Sequence, residues 1–221
     1  MPLPMVHLSI AKIIMDTEFK INNRSQFCLG SISPDAIHMR ANTNRQAKNN
    51  THLIPAGQKP GTVDKKEFFK LIMNFIHDNC DKTDSDFLWG YGIHSLTDMY
   101  WSQTIYADFK TKYGNDKSPV QDERPAYYND TDVSDLVLFA ESSCQNEIWQ
   151  YLQKAEYFDF LDILSAQEIK AWNERTLGWY DLNKNKQYNP VRYITRPEVE
   201  NFIKVCSELI CSSIKADYPR F

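Results

Sequence analysis

The sequence predicts an all-α fold, a single domain of six to eight helices spanning residues 1–221, and three observations carry that expectation. Helix starts are clearly marked: Asp64-x-x-Glu67, Ser165-x-x-Glu168 and Thr195-x-x-Glu198 each pair a capping side chain with a carboxylate three residues on. Apolar residues recur at helical spacing, while alternating strand patterns are scarce. Only seven glycines occur in 221 residues, which disfavours a turn-dense all-β fold, and neither GxGxxG nor GxxxxGK is present.

Taken in order, the first helix is expected from about Leu3 to Asp16, burying Val6, Ile10, Ile13 and Ile14. Residues 40–62, rich in Asn, Gly and Pro, read as a long polar loop, a length that suggests function or mobility. Asp64 opens a helix to about Cys80. The next starts at Thr83–Ser85 and is apolar nearly all round (Phe87, Leu88, Trp89, Tyr91, Ile93, Leu96, Tyr100, Trp101), which places it at the centre of the domain, with an end as late as Tyr113. Asp130 or Thr131 is expected to begin another helix ending near Ala155. The capping boxes at Ser165 and Thr195 open the last two, with Pro197 tolerated in a first turn.

Composition narrows the function. Apolar residues at 42% and aromatics at 13% are enough for a sizeable core. A formal charge of −4 argues against a general nucleic-acid binder, which normally carries a basic stripe, although a nucleotide could still be a substrate. The N-terminal run "MPLPMVHLSIAKIIMD" has no basic region before its short apolar stretch, which His7 interrupts, so it reads as neither signal peptide nor membrane span. Five cysteines with no CxxC fit reduced thiols, and a cytoplasmic location is the expectation.

Within "DFLWGYGIHSLTDMYW", His94 and Asp98 stand four residues apart and therefore project from one helix face. On a wheel of ~100° per residue they share a broad face with Phe87, Gly90, Tyr91 and Trp101, with Gly90 leaving room one turn earlier. A carboxylate among aromatics is costly unless paired or metal-bound. Upstream, Asp35 follows Pro34 in "CLGSISPDAIHMR", His38 lies three residues on, His7 sits on the first helix and His52 in the polar loop. Plainer roles stay open for each. His94 and Asp98 could form a structural hydrogen bond, Asp35 could cap a helix, His7 could be a satisfied core histidine, and His38 and His52 could be solvated. Together His7, Asp35, His52, His94 and Asp98 make a nitrogen–oxygen ligand set suited to zinc. The literal His77-Asp78 pair, which invites comparison with HD-type nucleotide phosphohydrolases, falls opposite the stripe Phe68, Ile72, Phe75 and Ile76 and reads as surface.

The order "MVHLSIAKII", "FCLGSISPDAIHMR", "THL", "FLWGYGIHSLTDMYW" and "YYNDTDVSDL" resembles the bacterial zinc-dependent phospholipase C family, in its intracellular branch, over roughly residues 1–140. The resemblance implies an all-α hydrolase with one to three zinc or other divalent ions acting on a small phosphoester or phospholipid. It implies that Asp35, His52, His94 and Asp98 hold one ion and that Asp98 bridges to a second held also by His7. His38 would support either, and Asp35 is the candidate general base. Two departures are plain: the chain begins Met1-Pro2-Leu3-Pro4 rather than with a processed tryptophan, and it has no histidine after His94. Asp130, Asp132 and Asp135 are candidate oxygen ligands in place of the missing histidines. Two alternatives accompany this reading: an HD-type phosphohydrolase on His77 and Asp78, and a metal-stabilised binding protein without turnover.

Overall fold

The computed structural model describes residues 3–17 and 19–217, and among these it contains ten α-helices and no strand. At its centre lies α5 (Ser85–Gln103), which is buried on every side from Asp86 to Trp101. Asp84 caps it by accepting from the Phe87 amide at 2.9 Å. A helix apolar all round has no solvent face, and the other helices wrap it.

Two of its glycines set how closely they pack. The backbone of α2 (Arg24–Gly30) crosses α5 so closely that a Cβ at Gly90 would lie 2.1 Å from the Phe27 carbonyl oxygen. Reciprocally, a Cβ at Gly30 would lie 2.1 Å from the Phe87 carbonyl oxygen. The room expected at Gly90 is thus taken by a neighbouring helix. On another side, Gly92 admits Ile72 and Ile76 of α4 (Lys65–Asn79), whose start Asp64 caps through the amides of Lys66 and Glu67.

Against this core lies α1 (Pro4–Met15), close to its expected bounds, with Pro4 in its first turn. The polar stretch 40–62 is not all loop: Asn44 caps a short helix α3 (Arg45–Thr51), and a 3-10 turn follows at Pro60–Thr62. A second 3-10 helix, Ser33–Met39, joins α2 to this region.

The long helix expected to Tyr113 breaks at Thr104, and α6 (Ile105–Asn115) follows. The helix expected to start at Asp130 begins a full two turns earlier: α7 (Glu123–Glu141) takes Pro125 into its first turn, where no amide hydrogen is needed. It stops at Glu141, and α8 (Gln145–Lys154) is separate. The reciprocal capping box at Ser165 and Glu168 opens α9 (Ala166–Asn183). Glu198 accepts from the Thr195 amide at 2.8 Å at the start of α10 (Arg196–Asp217). All five cysteines are free thiols, and no described helix is long and apolar enough to cross a membrane.

Candidate metal centre

Four segments deliver five side chains to one point. The middle of α5 contributes His94 and Asp98, and α1 contributes His7. Asp35 comes from the 3-10 helix after Pro34, and His52 is the residue that ends α3. All five are buried. His52 is therefore not solvated. Tyr91, one turn before His94 on α5, donates its hydroxyl to the Thr51 carbonyl and ties the end of α3 to the central helix.

Two of the three imidazoles are oriented by carbonyls. His94 Nδ1 lies 2.8 Å from the Ser31 carbonyl oxygen, at the close crossing of α2 and α5. His52 Nδ1 lies 2.9 Å from the Lys48 carbonyl oxygen. An imidazole donating from Nδ1 to a carbonyl must carry its proton there, leaving a lone pair on Nε2. Carbonyl-oriented imidazoles of this kind are typical of metal ligands.

Those free nitrogens face carboxylates without bonding to them. His52 Nε2 stands 3.3 Å from Asp35 Oδ1 and 3.4 Å from Asp98 Oδ2. His7 Nε2 is 3.5 Å from Asp98 Oδ1, and His94 Nε2 is 4.0 Å from Asp98 Oδ2. Two ligands each about 2.0–2.1 Å from a tetrahedral zinc ion stand roughly 3.3 Å apart, so these separations suit donors sharing an ion. Both nitrogens of His7, Nε2 of His52 and His94, Oδ1 of Asp35 and both oxygens of Asp98 have no hydrogen-bond partner. Stranding so many buried polar atoms together costs several kcal/mol unless a cation or bound water satisfies them.

Two overlapping sets of three could hold an ion, namely Asp35, His52 and His94, and His7, His94 and Asp98. Both need His94 Nε2, which can serve only one ion. Asp98 turns Oδ2 towards the first set and Oδ1 towards His7.

The electrostatics match this. Burial pushes the His94 imidazolium down to about 3, helped by the His7 ring stacked on it at 3.8 Å, so His94 is neutral at ordinary pH, the form that could bind a metal ion. Burial opposes ionisation of Asp98, but the imidazoles of His7, His94 and His52 outweigh it and bring its carboxyl to about 2. Asp35 is likewise held well below the usual carboxylate range: burial works against its charge, and His38 and His52 prevail.

The remaining residues singled out by sequence fall elsewhere. Asp130 is a loop anchor whose Oδ2 accepts the amides of Arg192, Tyr193 and Ile194 at 3.2, 2.7 and 3.0 Å. With three amides on Oδ2 and the Asn129 side-chain amide on Oδ1 at 3.0 Å, both oxygens are committed to this loop anchor, and its mid-helix position rules out the capping role as well. Asp132 borders a surface cleft beside Lys186 and Tyr188. Asp135 accepts from the Met5 amide at 3.1 Å and the Tyr180 hydroxyl at 2.6 Å, capping α1 from outside. His38 stands at the outer edge of the centre, 3.5 Å from Asp35. His77 is 83% exposed with only Asp78 beside it, and neither belongs to a metal-holding group.

Sequence reasoning missed Lys48, which reaches Asp35 at 3.8 Å. Its place one helical turn before His52 was the available signal, hidden because the stretch read as loop.

Fold and site together define an all-α protein with a buried histidine–aspartate cluster able to hold a metal ion. No family model matches the chain, and neither a curated protein nor a solved structure does.

Proposed function

We propose that this chain is a metal-dependent hydrolase of phosphoesters, with zinc the favoured ion. One observation carries the metal: two imidazoles, each oriented by a backbone carbonyl, aim unprotonated Nε2 atoms at buried carboxylates that have no hydrogen-bond partner. Three imidazoles against two carboxylates favour zinc over magnesium. The phosphoester, phospholipid among the possibilities, is supported by the resemblance of residues 1–140 to the zinc-dependent phospholipases C.

In this reading the ion lies between the two sets, held by His52, His94 and Asp98, whose Oδ2 stands 3.4 Å and 4.0 Å from the two Nε2 atoms, while His7 faces the other oxygen of Asp98 at 3.5 Å. A bound zinc ion would supply Lewis acidity to a phosphoryl oxygen and acidify water towards a pKa of ~7. Asp35 stands ionised at the edge of the centre, where it would take the proton of an attacking water; its lowered pKa makes it a weak base, so acidification of that water by a bound ion would carry most of the activation. The aromatic wall of α5 keeps bulk water away and strengthens each of these interactions.

A second reading, a metal-stabilised binding protein without turnover, is favoured by the burial of every donor atom, since structural zinc sites are closed and catalytic ones keep an open position. A panel of phosphomonoesters and phosphodiesters with the zinc-loaded chain separates the two. The hydrolase reading expects turnover that chelator removes and zinc restores, and that falls roughly a hundredfold or more in Asp35→Asn with zinc still bound. Stoichiometric zinc without turnover on any ester would favour the second reading.

A further inference from the structure

Between the buried centre and solvent stand two side chains, Lys48 and His38. Lys48 Nζ is 3.8 Å from Asp35 Oδ1 and 3.1 Å from His38 Nε2, and His38 Nε2 is 3.5 Å from the same Asp35 oxygen. An ammonium only donates, so the His38 nitrogen is the acceptor in that pair. The side chains of Lys48 and His38 are 25% and 42% exposed, whereas those of His7, His52, His94 and Asp98 are at most 2% exposed. Of the side chains around Asp35, these two are the ones that solvent reaches.

The charge count gives the pair its meaning. Two carboxylates and a divalent ion sum to zero, and the neutral imidazoles add nothing. Lys48, 3.8 Å from Asp35 Oδ1, then adds one positive charge beyond that neutral sum. A partly buried ammonium at the mouth of an otherwise neutral metal centre favours an anion there. The main chain of Lys48 is committed as well, because its carbonyl orients His52. The backbone of Lys48 is thereby set one helical turn from His52, and its side chain reaches Asp35 from there.

We infer that Lys48, with His38 steadying it, is an anion-binding residue that receives a phosphate-ester oxygen at the open edge of the metal centre. The inference rests on the proposed metal-dependent reading and names the substrate feature that the centre recognises, an ionised phosphate oxygen. A neutral carboxylic ester offers no such partner. Lysine acts as a point charge here, so arginine should substitute tolerably and methionine should not.

The test uses the full-length chain loaded with zinc and dialysed, with inorganic phosphate as the calorimetric probe and zinc content measured on each sample. Wild type and Lys48→Arg should bind phosphate within about threefold of each other, and Lys48→Met should bind it about tenfold or more weakly with its zinc content unchanged. Phosphate binding by Lys48→Met equal to wild type, or none by the zinc-loaded wild type, would overturn the inference and leave the metal reading standing. Loss of zinc from Lys48→Met would also overturn it, reducing Lys48 to a counter-charge for Asp35. A wild-type chain that takes up no metal would overturn the proposed function itself, and this assignment with it. Capture of the zinc-loaded protein by phosphatidylglycerol vesicles, lost in Lys48→Met, would place the anion on a lipid headgroup. Phosphate binding without vesicle capture would place it on a soluble ester.

Discussion

At His94 the two ring nitrogens meet different surroundings: Nδ1 donates to the Ser31 carbonyl at 2.8 Å, while Nε2 faces the centre with no hydrogen-bond partner. This fixed neutral state has a pH signature. The folded imidazole is pushed down to about 3, whereas the unfolded chain takes up its proton near ~6.5. A depressed folded pKa contributes stability that is present above the unfolded value and lost as pH falls. The metal-free protein should therefore lose about 1 kcal/mol per pH unit through this residue between pH ~6 and ~3, and His94→Ala should flatten that slope. Urea unfolding of both chains at stepped pH measures it, and parallel curves would contradict the assignment. Asp135 has the opposite sign. Burial raises its carboxyl to about 7, despite the Tyr180 hydroxyl and the amides of Met5 and Val6. A raised acid contributes stability fully present below the unfolded pKa of ~3.9 and lost as pH climbs through the folded one. Asp135→Asn keeps an acceptor for the Met5 amide and removes the ionisation. Its stability relative to wild type should rise between pH ~4 and ~7 and level off above. A pH-independent difference would show that Asp135 does not titrate there. The five central residues could be picked out by type and context, but Asp130 and Asp132 could not be excluded. Which backbone amides a carboxylate meets is a long-range matter: Asp130 meets those of residues 192–194.

The elements act on the centre through two contacts. The first is the crossing of α2 and α5, where Gly30 and Gly90 let backbones touch and bring the Ser31 carbonyl to His94. Gly90→Ala would put a methyl 2.1 Å from the Phe27 oxygen, which is backbone and cannot rotate away. The expected result is a loss of about 2 kcal/mol or more in stability and a tenfold or greater loss in metal affinity as the carbonyl shifts. Unchanged metal affinity in a destabilised variant would separate the crossing from the site. The second contact is the end of α3, where Thr51 and His52 are buried while Arg45 at its start is exposed. Few apolar contacts hold this helix, so a metal bond at His52 should add much of its local stability. Chelator should then speed tryptic cleavage at Arg45, Lys48 and Lys59 before the core yields, because cleavage follows the open population. Equal rates with and without chelator would remove His52 from the ligand set. Helix starts marked by capping boxes, at Asp64, Ser165 and Thr195, were legible in the sequence. The short helices α2 and α3 were not, since each is only 7 residues long and polar or broken by turn residues, too brief to show a periodicity.

For the molecule as a whole, the all-α class was legible because α5 is apolar all round and a single central helix must be enclosed. The break at Thr104 was hidden, because helical propensity runs on through Ile105–Asn115 and packing decides where the chain turns, whereas the separation of α7 from α8 was signalled by the weak helix formers Ser142, Ser143 and Cys144. The centre lies where α1, α3, α5 and the 3-10 helix Ser33–Met39 meet, so an ion bound there would join segments that span the first hundred residues. Binding an ion to the folded chain alone stabilises it by linkage, and the free energy of one is the free energy of the other. Elemental analysis of the purified chain, paired with thermal unfolding before and after chelation, tests this most directly. At least one zinc or similar divalent ion per chain is expected, with a fall in Tm of several degrees or more on its removal. The ion and the shift should be absent in His94→Ala and Asp98→Ala and retained in His77→Ala. A chain that binds no divalent ion at neutral pH, or that keeps its ion in His94→Ala and loses it in His77→Ala, would contradict the account.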